Sequence, residues 1–426
     1  MVAFQLMIDT TTIAFSGLPL FIAPIIGGFF SGILIKLGRT EIQGSGISTA
    51  IELTHQPSKL RTGTSFTKLV ATSVSIGTGN PVGREGPAVL IGAGVGNAIA
   101  RWLGFDNDSD LRVFFMMGSA AATAGIYMAP LGGALFATEA PYRRDARLGY
   151  FVPTAIAALT SFIVFSGLFQ LITGNGITPL FLFPAELQIT IMEIPLLIFF
   201  GIVAGLISIL FAVSLMATRN FFTIQFPDWI DPIVGSSLAC VVISAVGLVV
   251  DPSLTIAGMG YDVINTLALN PQPLLIIIIL LFGKLFASSF VVAGKVSGGV
   301  LASSLFVGAM LGSLFGEVFF PQNIPAFIVL GMGAVLAATT NTPVATTIMM
   351  LEMSLSFTLI IPLVICVTVS YLVSAGTSLY EGQKVSRDDE EPGFFSSTNV
   401  LETGKARFLK DTSATRTESD DEENIV

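Results

Sequence analysis

The sequence predicts an all-α polytopic membrane protein made of two repeats whose helices are tilted and broken, and three observations carry that prediction. First, 52% of the 426 residues are hydrophobic and 12% are charged, with a mean hydropathy of +0.81, far from the balance of a soluble globular domain. Second, the 43 glycines and 21 prolines are spread through the apolar stretches, as expected where helices pack closely or break within a bilayer. Third, the punctuation repeats. Ala129-Pro130-Leu131 leads to Glu139, and Thr342-Pro343-Val344 leads to Glu352 at the same spacing, an offset of 213 (342 − 129). Gly83, Glu85 and Pro87 with Gly92-Ala93 are paralleled by Gly299, Leu301 and Ser303 with Gly308-Ala309, an offset of 216 (299 − 83). Repeats with paired interrupted helices point to a transport site at the bilayer midplane between the halves.

Apolar runs of spanning or near-spanning length follow in order at 12–37, 65–77, 88–103, 113–140, 150–172 and 189–216 in the first half. The second half has runs at 233–250, 274–293, 300–320, 324–353 and 357–375. Several exceed one simple span and contain glycine or proline, so they are expected to split into tilted or half-spanning helices. The transmembrane domain is placed at 1–380, with repeats at about 12–216 and 233–380. Lys36 and Arg39, Lys59 and Arg61, and Arg143, Arg144 and Arg147 fall in short connections, which the positive-inside rule assigns to the cytoplasm. Segment 381–426 holds twelve acidic and six basic residues, so −6 of the net −9 lies there; it reads as an acidic, disordered cytoplasmic tail. The chain is therefore expected to be a multi-pass protein of the cell membrane. No cleavable leader is evident, since the first ten residues lack a basic segment.

Little in the composition points to metal or redox chemistry. Cys240 and Cys366 lie in separate apolar segments, where a small buried hydrophobe is the natural role. The single histidine, His55, reads as a surface loop residue with no ligand cluster around it. Walker loops, HExxH and a nucleophile paired with a base are missing, which argues against an enzyme. No cofactor and no nucleic-acid partner are expected.

Glu85 is the most informative residue. An ionisable group in the middle of a spanning segment costs about 2.5–3.5 kcal/mol on insertion scales, so such a carboxylate marks an ion or proton site by default. It stands in Gly83-Arg84-Glu85-Gly86-Pro87, and this segment, Gly44-Ser45-Gly46-Ile47 and Gly299-Val300-Leu301-Ala302 each lead into an apolar helical run. Each should start a helix, where unpaired backbone N–H groups and a partial positive charge favour an anion without a full cation. Pro87 fits the opening turn. Partial charges and hydroxyls such as that of Ser45 allow both binding and release. A carboxylate there can occupy the anion's own place, and on protonation it becomes neutral and can leave.

Together, GSGIS at 44–48, GREGP at 83–87, SGGVLASSLFVGA at 297–309 and the late Gly376-Thr377-Ser378-Leu379-Tyr380 resemble the signature segments of the CLC family of chloride channels and proton-coupled chloride exchangers. The likeness runs from about residue 12 to 380. It implies an inverted-repeat bundle and a homodimer in which each subunit has its own anion pathway. It further implies that Ser45 and Tyr380 coordinate the central anion by hydroxyl, that the segments carrying Gly46, Ile47, Arg84, Gly86, Val300 and Leu301 complete the anion sites, and that Glu85 is the gating and proton-accepting glutamate. Chloride, and in some members protons, would be the transported species.

The chain departs from that pattern in several places. Ser48 stands where the first motif normally has proline, and Leu301 and Ser303 replace phenylalanine and proline; these changes are expected to loosen local geometry. Glu139-Ala140 replaces the adjacent glutamate pair whose second member serves exchangers as the inner proton relay, which leaves channel and exchanger both open. Only 43 residues precede Gly44, room for one long helix where the family usually has two. A secondary transporter of another class, such as a sodium-driven carrier of an anionic solute, is the alternative reading.

Overall fold

A computed structural model of the chain describes residues 1–56, 60, 63–105, 107–174, 180, 181, 183, 187, 191–225, 227–374 and 377–386. The expected tail beyond 386, and the positions of Lys59, Arg61 and Gly376, lie outside the described residues. The helices in chain order are α1 (Val2–Phe15), α2 (Ala23–Lys36), α3 (Ile47–His55), α4 (Thr64–Gly77), α5 (Glu85–Trp102), α6 (Asp108–Tyr127), α7 (Pro130–Glu139) and α8 (Phe151–Thr173). They continue with α9 (Ile194–Gln225), α10 (Asp231–Gly247), α11 (Tyr261–Leu269), α12 (Leu274–Ala293), α13 (Leu301–Phe319), α14 (Ile324–Thr340), α15 (Pro343–Ser354) and α16 (Ile360–Val373). Among the described residues there is no strand, only two isolated bridges.

Two of the long apolar runs break as expected, and at matched places. α6 ends at Met128 (φ 55°) and α14 at Asn341 (φ 57°), each in the left-handed region. Ala129 and Thr342, pushed out of the helical region by the proline that follows, then lead into helices that open on Pro130 and Pro343. α3 and α11, nine residues each, reach only about 14 Å at 1.5 Å per residue, half of a hydrocarbon core of about 30 Å. Among the described residues, four stretches are long and apolar enough to cross a membrane, Leu148–Thr173, Ile191–Thr223, Leu274–Ala293 and Leu301–Phe319. They differ in setting: the first is 17% buried and the last 83%. α13 is therefore core, while α8 turns most of its apolar side chains to the outside of the bundle.

Within each half, paired helices pack through small residues. In the first half Gly92 on α5 and Gly118 on α6 bring their backbones together, and a Cβ on Gly92 would lie 2.2 Å from the Gly118 carbonyl oxygen. In the second half Gly308 on α13 and Gly331 on α14 repeat the contact at 2.3 Å. Only glycine permits this approach. Helices α7 and α15 pack across the halves and cap each other: Glu139 accepts the amides of Val344 (3.2 Å) and Ala345 (2.7 Å), and Glu352 accepts those of Leu131 (3.0 Å) and Gly132 (2.8 Å). Each carboxylate, at one helix's end, satisfies the unpaired N–H groups at the other's start.

Three expectations need correction. The region before Gly44 forms two helices, α1 and α2, because the segment around Gly17 and Pro19 interrupts the run expected to be one. His55 is not a surface loop residue: it ends α3, is buried, and its Nε2 donates to the Pro141 carbonyl at 3.0 Å beside the Tyr142 ring. The serine replacements tie rather than loosen. Ser303 bonds Ser288 (2.7 Å) and the Pro81 carbonyl (3.2 Å), joining the halves, and Ser48 accepts the Glu381 amide (3.1 Å), anchoring the segment after Tyr380. That segment continues to a bridge between Tyr142 and Lys384. The two cysteines are buried and free.

Candidate anion site at the meeting of the helix starts

The glycine-led segments converge. Gly83 and Gly299 pair as a two-residue antiparallel bridge, their amides and carbonyls exchanging bonds of 2.8 and 2.7 Å. This bridge fixes the start of α5 against the start of α13. The start of α3 joins them: a side chain on Gly86 would lie 2.3 Å from Ser45 Oγ and 3.2 Å from the Gly299 Cα. All three segments expected to open helices do so, at Ile47, Glu85 and Leu301.

Glu85, the first residue of α5, is 2% exposed. Its carboxylate folds back over Gly83, in the space a Cβ there would need, next to Ala302. It faces the backbone amides of Glu85 itself and of Ala302, one residue beyond the expected Val300 and Leu301, which are buried at the same helix start. Oε1 also accepts a hydrogen bond from the Tyr261 hydroxyl. Arg84 sits at the N-cap with its Nε 3.9 Å from Oε1 and an Nη donating to the Ile126 carbonyl at 3.4 Å. The guanidinium thus flanks the carboxylate and does not close on it as a bidentate pair.

Buried hydroxyls surround this point. Those of Ser45, Tyr127 and Tyr380 have no hydrogen-bond partner among the described residues, and Tyr127 and Tyr380 lie within electrostatic reach of Glu85. A buried hydroxyl without a partner is costly unless something else accepts from it. Such donors, together with amides at helix starts, suit a desolvated monovalent anion. Gly46 and Ile47 shape the turn into α3, with Gly46 at φ 81°, a left-handed angle that glycine alone adopts without strain.

Four residues of this site were not singled out from the sequence. Lys68, fully buried on α4, donates to the carbonyls of Ile42 (2.7 Å), Gln43 (3.4 Å) and Gly44 (2.6 Å), pinning the approach to Ser45. Lys284 on α12 does the same for Ile256 (3.0 Å) and Gly258 (2.5 Å), pinning the approach to Tyr261. The lysines stand 216 apart (284 − 68), and Gly258-Met259-Gly260-Tyr261 repeats Gly44-Ser45-Gly46-Ile47 at an offset of 214 (258 − 44). The glycine angles match, 59° and 86° against 56° and 81°. Those offsets were the available signal for Tyr261 and both lysines; Tyr127, in an apolar run, offered none. Among the described residues no group of three metal-ligating side chains occurs.

An open cavity of about 810 Å³, lined by Asp9, Thr12, Leu180, Tyr261 and Asp262 among others, reaches Arg84. It brings open space to Arg84 and Tyr261, the two side chains that flank the carboxylate.

Comparison with known proteins agrees with this fold. The family model described as voltage gated chloride channel matches residues 27–375. The voltage-gated ClC-type chloride channel ClcB of Salmonella typhi is 28% identical over 367 residues, covering 82% of this chain and 83% of that protein. An uncharacterised protein of Methanocaldococcus jannaschii is 26% identical over 342 residues, covering 80% and 82%. Among solved structures, a slow cyanobacterial Cl⁻/H⁺ antiporter shares the fold at TM-score 0.75 and 20% identity, over 88% of this chain and 92% of that one. A CLC-type fluoride/proton antiporter does so at 0.75 and 21%, over 90% and 94%.

Proposed function

Because the chain belongs to the voltage-gated chloride channel family, we propose that it carries chloride and similar monovalent anions through a pathway gated by Glu85. One observation carries this reading: a buried carboxylate lies where the starts of α5 and α13 meet beside that of α3, among buried hydroxyls without partners. Ser45 and Tyr380 donate to the anion, and the segments carrying Gly46, Ile47, Arg84, Gly86, Val300 and Leu301 shape and polarise its site. Ionised Glu85 competes with the anion for the same partial charges; protonated, it yields the place. The protein acts as a homodimer in the cell membrane, each copy with its own pathway, with the acidic segment after Tyr380 in the cytoplasm.

Chloride efflux from reconstituted liposomes tests the gate. Glu85→Gln, which mimics the neutral acid, should sustain flux that no longer varies between acid and neutral pH; pH-dependent flux in that variant overturns the role of Glu85, and a sodium requirement overturns the class of transport. The zero-flux voltage under a chloride gradient, with and without a pH gradient, assigns channel or exchanger. Ala140 holds the position where an exchanger of this family is expected to carry its inner relay glutamate. Its neighbour Glu139 is engaged with the start of α15.

A further inference from the structure

Tyr261 occupies the second half's counterpart of Ile47, and it does something Ile47 has no atom to do. As the first residue of α11, held by Gly260 in the left-handed region, it reaches the Glu85 carboxylate from the opposite half. Its ring packs edge-on against Phe181, centroids 5.9 Å apart, and borders the 810 Å³ cavity. Its hydroxyl donates to Glu85 Oε1. The other groups facing the carboxylate are Arg84 on its own helix, Tyr127 on α6, Lys284 on α12 and Tyr380 beyond α16. Arg84 stands off at 3.9 Å and Lys284 is committed to carbonyls. Among the described residues, Tyr261 provides the one side-chain hydrogen bond to the Glu85 carboxylate.

We propose that Tyr261 is a positioning residue that latches ionised Glu85 in the anion's place. The inference rests on the gating reading above and adds what holds the gate shut. A phenol donating to a carboxylate makes a charge-assisted bond, stronger than the neutral bond it can offer the protonated acid. The latch therefore favours the ionised, blocking state and lets go on protonation. Without the hydroxyl, the ionised form loses a partner and the acid takes its proton at higher pH.

The test is chloride efflux from liposomes over a pH series for wild type, Tyr261→Phe, Tyr261→Leu, Glu85→Gln and Glu85→Gln/Tyr261→Phe. Tyr261→Phe keeps the ring and its packing. Its activation midpoint should move about one unit toward alkaline pH, a tenfold change in the proton equilibrium, and Tyr261→Leu should move it in the same direction. In the Glu85→Gln background Tyr261→Phe should leave the pH profile flat. A wild-type midpoint in both Tyr261 variants overturns the latch while leaving the gate in place, whereas a pH-dependent Glu85→Gln overturns the gate itself.

Discussion

Ser45, Tyr127 and Tyr380 bury hydroxyls that no described group satisfies, a cost that an anion in the proposed site would recover by accepting from them. Each charge-assisted hydrogen bond is worth about 1.5–3 kcal/mol, so Tyr380→Phe should weaken chloride binding about tenfold or more, read by calorimetric titration of the purified protein in detergent. The ring remains, so the fold and the elution volume should be unchanged; equal chloride affinity in the two proteins would remove Tyr380 from the site. Glu85 and Tyr261 belong to the same scale. One hydroxyl and one carboxylate, from opposite halves, make the contact on which the proposed pH response turns.

Elements here are held by their ends. α7 and α15 each satisfy the other's first turn through Glu352 and Glu139, so a single truncation orphans two amides in a helix start. Leaving a buried donor unpaired costs about 1–3 kcal/mol. Glu352→Ala and Glu139→Ala should therefore each lower the melting temperature of the detergent-solubilised protein, followed by loss of the monodisperse chromatographic peak, while Glu352→Gln, which keeps one acceptor, should lose less. The glycine contacts set a second limit. Gly92→Leu would drive a side chain into the Gly118 carbonyl, so α5 and α6 would have to part; little or no folded protein is the expected yield, with Gly308→Leu behaving alike in the second half. Normal yields of both would refute the close-packing account.

At the scale of the whole molecule, two halves of one plan deliver different chemistry to one point. Lys68 and Lys284 pin equivalent loops, yet the first loop carries Ser45, a proposed anion donor, and the second carries Tyr261, the proposed latch on Glu85. Lys68→Met should therefore weaken chloride binding, and Lys284→Met should shift the pH midpoint in the same direction as Tyr261→Phe; both are read in the liposome and calorimetric assays, and identical effects from the two would deny the division of labour. By itself the sequence determined the membrane class, the two repeats, the helix starts at Ile47, Glu85 and Leu301 and the breaks before Pro130 and Pro343, since hydropathy, proline and glycine act on the chain locally. It also singled out Glu85, because a carboxylate in an apolar setting is conspicuous without knowledge of its partners. Only the tertiary structure decided that Gly83 pairs with Gly299, that Glu139 caps α15, that His55 is buried against Pro141 and that Tyr261 bonds Glu85. Those contacts join residues up to 216 positions apart (299 − 83), and such a distance is closed by packing the two halves face to face, which no local preference of the chain encodes.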